Sequence, residues 1–312
     1  MIDFDYPWIP PLYFVWFARP TFIIQRRFFI GLSLSPLAYT ILPSSAGGLG
    51  MFQSSFSAKR VVLNVVIYFL LFLAGDLINS LIWDFIFSNT GPLRSEVYSI
   101  ARMSGQLLLT CLFFWLYTAK VLHLKMNFFR INMNVKFWSL LLAVLLPAFV
   151  IFVFLLIGKT ETASFETGEL IFIVIFSILT ALKAGITEEM LFRGFIMKLL
   201  ESRWNKYVVV IAPSFLFSLL HIPSMETFSI IGVVLLIVSG TLVGVMFSVV
   251  AYKGNSIANS AVMHTVWNFA MITGILHITT VQGYYGNPVF SIIIPAENVL
   301  LTGAGFGVEA SI

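Results

Sequence analysis

Apolar runs of about twenty residues recur along this chain, the length a helix needs to cross a hydrocarbon core of roughly 30 Å. Seven of them fall at roughly 61–87, 98–118, 137–157, 168–200, 207–225, 228–250 and 256–276. They are continuous and not alternating. Inside a bilayer only helices or closed barrels satisfy the backbone, so such runs predict helices. Composition agrees: 59% of the 312 residues are hydrophobic and 10% charged, against about 25% charged in a soluble domain. The expected fold class is all-α, a polytopic integral membrane bundle of about seven to eight transmembrane helices.

Several function classes fall away at once. The single cysteine, Cys111, lies inside an apolar run, so no intramolecular disulfide and no cysteine-based metal site can form. The net charge of +4 reads as loop charge in a membrane protein and gives no case for a nucleic-acid partner. Residues 1–60 are aromatic, punctuated by prolines and basic at intervals. They read as an interfacial segment, with a short re-entrant piece near 28–42 broken by Pro36, and not as a cleavable signal. The remaining expected organisation is 61–160, variable membrane helices; 161–277, a catalytic membrane core; and 278–312, a C-terminal tail.

Loop charges set the expected orientation. Lys59 and Arg60, then Lys120, Lys125, Arg130 and Lys136, then Lys198, Arg203 and Lys206, and finally Lys253 all fall on one side of the predicted spans. Glu161, Glu166, Glu169 and Glu226 fall on the other, with Arg94, Arg102 and Lys159 as exceptions. The positive-inside rule then predicts a cell-membrane protein with a cytoplasmic N-terminus.

An ionisable side chain within a span costs about 2.5 to 3.5 kcal/mol on insertion scales, so each one marks a candidate site. Glu188, Glu189 and Arg193 share one run, His221 lies four residues after Phe217, and His264 lies four before Asn268. Glu189 and Arg193 at i and i+4 can pair on one helix face, while Glu188 is turned about 100° away. The bland alternative has both glutamates balancing Arg193 and has His264 and Asn268 serving as interhelical glue. Depth argues for a common site. At about 1.5 Å per residue from the basic ends, Glu188 lies roughly 15 Å in, His264 roughly 16 Å, and His221 and Asn268 roughly 22 Å. The run 168–200 is too long for a simple crossing and must tilt, kink near Gly185 or project beyond the bilayer. Asp76 and Asp84, in the first span, have no companion motif.

The runs Glu188-Glu189-x-x-x-Arg193, Phe217-x-x-x-His221 and His264-x-x-x-Asn268, in this order on successive spans, resemble the CAAX protease and bacteriocin-processing (Abi) family. Its eukaryotic members are the type II CAAX prenyl endopeptidases. The resemblance covers about 165–277, and the ending from Leu300 looks like the stretch before one further helix in bacterial members. It implies an intramembrane endopeptidase cutting a peptide or membrane-anchored protein. Glu188 would be the general base, His221 would hold the water, His264 and Asn268 would form the oxyanion pocket, and Glu189 with Arg193 would give structural support. The cavity is expected to open to the cytoplasm.

The resemblance implies no cofactor. Two histidines and a glutamate are also the ligand set of catalytic zinc, which keeps a zinc-dependent peptidase as a rival. Other rivals are a non-catalytic immunity or scaffold protein on the same core, and an ion-coupled transporter built on Glu188, Asp76 and Asp84. The transporter is disfavoured because no pair of interrupted spans recurs in the two halves.

Overall fold

The computed structural model describes residues 57–90, 95–225, 228–279 and 288–294. Residues 1–56 of the expected interfacial segment, Arg94, Glu226 and most of the expected tail lie outside that set. The chain runs through α1 (Ala58–Thr90), α2 (Ser95–Leu116), α3 (Phe137–Ile157), β1 (Lys159–Thr162), α4 (Thr167–Glu189), α5 (Met197–Glu201), α6 (Lys206–Leu220), α7 (Ile230–Gly254), α8 (Ala258–Met271), β2 (Leu276–Thr279) and β3 (Phe290–Ile293). Among the described residues six helices are long and apolar enough to cross a membrane. The seventh expected span is α8, which has only 14 residues.

Local chemistry explains the boundaries. Glu166 and Glu169 close a capping box at the start of α4. The Asn205 side chain accepts the amides of Tyr207 and Val208 ahead of α6, and Ser229 accepts Gly232 ahead of α7. α7 ends where Asn255 turns left-handed, with φ of 49°. Between α4 and α5 the helix is not broken at Gly185. It widens to a π-helix over Met190–Ile196 and continues without a bend residue.

Gly185 is instead a point of close approach, where α4 lies against Thr265 and Ala261 of α8. Gly244 of α7 does the same against Ser214 of α6. With no hydrophobic force to join helices in lipid, such small-residue contacts carry the packing. β1 pairs antiparallel and β2 parallel with β3, Thr160 and Ile278 both lying opposite Ile292. Part of the expected tail is therefore built into the fold. The sheet sits at the end of the bundle away from the basic loops, because α3 and α8 both run towards it.

At the basic end a dense aromatic cluster fills the bundle. Tyr68 stacks on Phe195 with centroids 3.9 Å apart, and Phe114 and Phe129 pack edge-on to Phe195 at 5.0 and 4.9 Å. All four are wholly buried. The connection after α2, read from sequence as a polar loop over 119–136, folds back beneath the helices. A 3-10 turn at Met126–Phe129 inserts Phe129, and Arg130, left-handed at φ of 57°, bonds Glu201 at 2.7 Å and Asn255 at 3.2 Å.

Candidate active site

The three motifs arrive in one place from α4, α6 and α8. Successive helical residues point about 100° apart, so Glu188 and Glu189 face different surroundings. The Glu189 side chain is fully buried and the Glu188 side chain is 13% exposed to a cavity.

Glu189 holds a charge-bonded hub. Its Oε1 accepts Arg193 Nη1 at 2.7 Å, and His264 Nδ1 lies 3.1 Å from the same oxygen. Arg193 donates its other terminal nitrogen to the Gly244 carbonyl at 3.0 Å and lies over the rings of Phe217 and Phe247, at 4.6 and 5.3 Å. The i, i+4 pairing expected of Glu189 and Arg193 is present. Its further bond to His264 carried no sequence signal, because 75 residues separate the two.

Both histidine rings are aimed by their Nδ1 atoms. His221 Nδ1 lies 2.8 Å from the Phe217 carbonyl, which can only accept, so this nitrogen carries the proton. The first residue of Phe217-x-x-x-His221 thus orients the last. His264 stacks on Phe247 with centroids 5.0 Å apart. With Nδ1 anchored, each ring turns Nε2 towards Glu188 Oε2, at 3.9 Å in both cases. Oε2 is buried and has no hydrogen bond among the described residues. A gap of that size accommodates a water about 2.8 Å from each group.

These groups line a cavity of about 550 Å³ that also includes Asn268. The acidic residues left without companions by the sequence belong to its wall. Asp76 lines it, and Asp84 lines it while accepting the Tyr98 hydroxyl at 2.8 Å. Arg102, an exception to the charge rule, lines it too and donates to Ser80 at 2.8 Å. Lys183 is a further lining residue.

Tetrahedral zinc, with ligand bonds of about 2.1 Å, draws its donors to roughly 3.4 Å from one another. The two gaps of 3.9 Å are wider than that. Among the described residues no group of three or more His, Cys, Asp or Glu is gathered for a metal.

The described residues thus form a helical bundle with six helices apolar enough to cross a membrane, and a carboxylate, two imidazoles and a carboxamide line its cavity. Residues 169–270 match the family model described as Type II CAAX prenyl endopeptidase Rce1-like, so this part of the chain is similar to that family. The match starts inside α4, ends inside α8 and takes in all three motifs. No curated protein and no solved structure matches the chain.

Proposed function

We propose that the chain is a glutamate-type intramembrane endopeptidase, cleaving a peptide or membrane-anchored protein with water activated by Glu188. The observation that carries this reading is the buried, unbonded Glu188 Oε2 facing two imidazole nitrogens at 3.9 Å. A water held there gives its proton to Glu188 as its oxygen attacks the scissile carbonyl carbon. The tetrahedral oxyanion is received by Asn268 and by His264, which as a donor at Nε2 acts in its imidazolium form. When the C–N bond breaks, Glu188 returns the proton to the leaving amine.

The test is cleavage by purified protein and by variants. Glu188→Ala, His221→Ala and His264→Ala are each expected to abolish it while the protein stays in the membrane. Asn268→Ala should retain a trace, since one lost oxyanion donor lowers turnover by about 10² to 10³. The substrate is found by comparing peptide termini in cells carrying the wild-type chain or Glu188→Ala. Activity surviving Glu188→Ala would overturn the mechanism. A cellular phenotype that needs the chain but tolerates every variant would favour the immunity or scaffold role.

One observation favours zinc as a second reading: both rings present Nε2 inward with Nδ1 held by an oxygen, the arrangement of metal-ligating histidines. Loss of activity on chelation, restored by zinc alone, would establish it.

A further inference from the structure

Most of the cavity's lining lies in the half of each bordering helix that is remote from the basic loops. On α1 the polar lining residues are Asp76, Ser80 and Asp84, and on α2 they include Tyr98, Arg102 and Gln106. Both sets are stripes of one residue per turn, and both lie in the half of the helix remote from the basic loops. At about 1.5 Å per residue, Asp76 is roughly 26 Å from Lys59, and Gln106 roughly 21 Å from Lys120. The lining of α4 rises from Glu188 through Lys183 and Thr180 to Phe176, again away from Lys198. Glu188, His264, Phe217 and Phe247 are therefore the floor.

Below that floor the bundle is closed. Arg193 and Glu189 come first, both at zero exposure. The wholly buried aromatic cluster of Tyr68, Phe114, Phe192, Phe195 and Phe129 follows. The folded-back connection then seals the end, with Ile131 against Gly194, Arg130 on Glu201, and Asn134 and Lys136 tied through their backbones to the Asn259 side chain.

We propose that the catalytic cavity opens on the face opposite the basic loops. With those loops cytoplasmic, it takes its substrate from the non-cytoplasmic side: a secreted peptide or the outward segment of an anchored protein, not a cytosolic chain end. The proposal departs from the expectation of a cytoplasmic mouth: counting residues from the basic ends gives the level of the site and not the direction in which it is open.

The walls say what kind of segment fits. α1 and α2 are the more polar wall, with carboxylates, a guanidinium, a phenol and an amide beside Phe72, Leu73 and Met103, while α7 and α8 are the more apolar, with Leu236, Val243 and Trp267 beside Ser239 and Asn268. Among the described residues neither Asp76 nor Lys183 has an ion pair, although each lies in a membrane-spanning helix. Such groups are tolerated in a span where water reaches them. An amphipathic peptide, backbone towards α1 and α2 and apolar side chains towards α7 and α8, matches both walls. Its cleavage rests on the function proposed above, whereas the entry face does not.

The experiment reads accessibility and needs no catalysis. In a Cys111→Ser background, single cysteines are placed in the cavity at Gln106→Cys and Ser239→Cys, at the sheet end at Thr160→Cys, and in a basic loop at Lys125→Cys. Sealed vesicles of either orientation are treated with a sulfonated, membrane-impermeant maleimide. Gln106→Cys and Ser239→Cys are expected to label from the side that labels Thr160→Cys and not from the side that labels Lys125→Cys. Labelling from the Lys125→Cys side would overturn the proposal, as would cavity positions labelling from neither side while both references label. Repeating the assay with Glu188→Gln separates the outcomes: unchanged labelling with no peptidase activity in either protein would sink the enzymatic reading and leave the entry face standing.

Discussion

Glu189 and Arg193 illustrate what a carboxylate and a guanidinium do when no water reaches them. Both are at zero exposure, 2.7 Å apart, and neither can lose its partner cheaply. Breaking a buried pair from one side costs about 3 to 5 kcal/mol. Glu189→Gln and Arg193→Lys should therefore lower the amount of folded protein and its thermal midpoint, measured in detergent, and should lower activity as well. Normal stability in both would move Glu189 out of the supporting role and into the chemistry. The separation of duties between Glu188 and Glu189 was legible from their 100° offset alone. The His264 bond to Glu189 was not, since no spacing rule connects residues on α4 and α8. Asp76, Asp84 and Arg102 were visible as misplaced charges without a destination, because only packing puts α1 and α2 beside the three motifs, and Lys183 was not singled out at all.

At the scale of elements, contact points between helices are as exacting as the polar site. A Cβ on Gly185 would run into the Thr265 hydroxyl and the backbone of α8, whereas one on Gly168 meets nothing within 4 Å. Overpacking of this kind costs about 1 to 3 kcal/mol. Gly185→Val should lower the thermal midpoint and displace His264 along with α8, while Gly168→Ala leaves the midpoint unchanged. The sheet offers a different test, through pH. His277 of β2 donates Nε2–H to the Thr273 carbonyl at 3.0 Å, and burial pushes its pKa down from 6.5 to about 4. Between those values the unfolded chain holds a proton that the folded chain refuses, so stability falls as pH drops from 6.5 towards 4. The full effect is a few kcal/mol, at about 1.4 kcal/mol per unit of pKa. Thermal unfolding at pH 7 and pH 5 should show that loss in the wild type and a smaller one in His277→Gln. Apolar run lengths located the helices within a few residues. The strands escaped notice because four-residue segments flanking long hydrophobic runs have no period of their own.

For the whole molecule the governing asymmetry is between its two ends. Lys59, Lys120, Lys125, Arg130, Lys136, Lys198, Lys206 and Lys253 collect at one end, and Glu96, Glu161, Glu166 and Glu169 at the other. Cysteines introduced at Lys125 and Lys206 should both resist impermeant reagents added to intact cells and react once the cells are opened. Labelling of either from outside would invert the assignment of faces. The charge pattern was readable in the sequence, but the closure of one end was not. Its seal is built of aromatic side chains from three separate segments and of a connection whose polar composition concealed Phe129.

The joint acceptance of Arg193 and His264 by a single oxygen of Glu189 has a consequence for how such a protein can change. A substitution there alters the cohesion of the bundle and the orientation of the His264 ring in the same stroke, so the two properties have no independent setting at that position. Compensating mutations elsewhere could restore folding to a Glu189 variant, yet the imidazole would still swing without its anchor. If the chain works as proposed, durability and turnover are coupled through one atom, and a lineage that abandoned the chemistry would be freed to lose the hub only after it had found another way to neutralise Arg193.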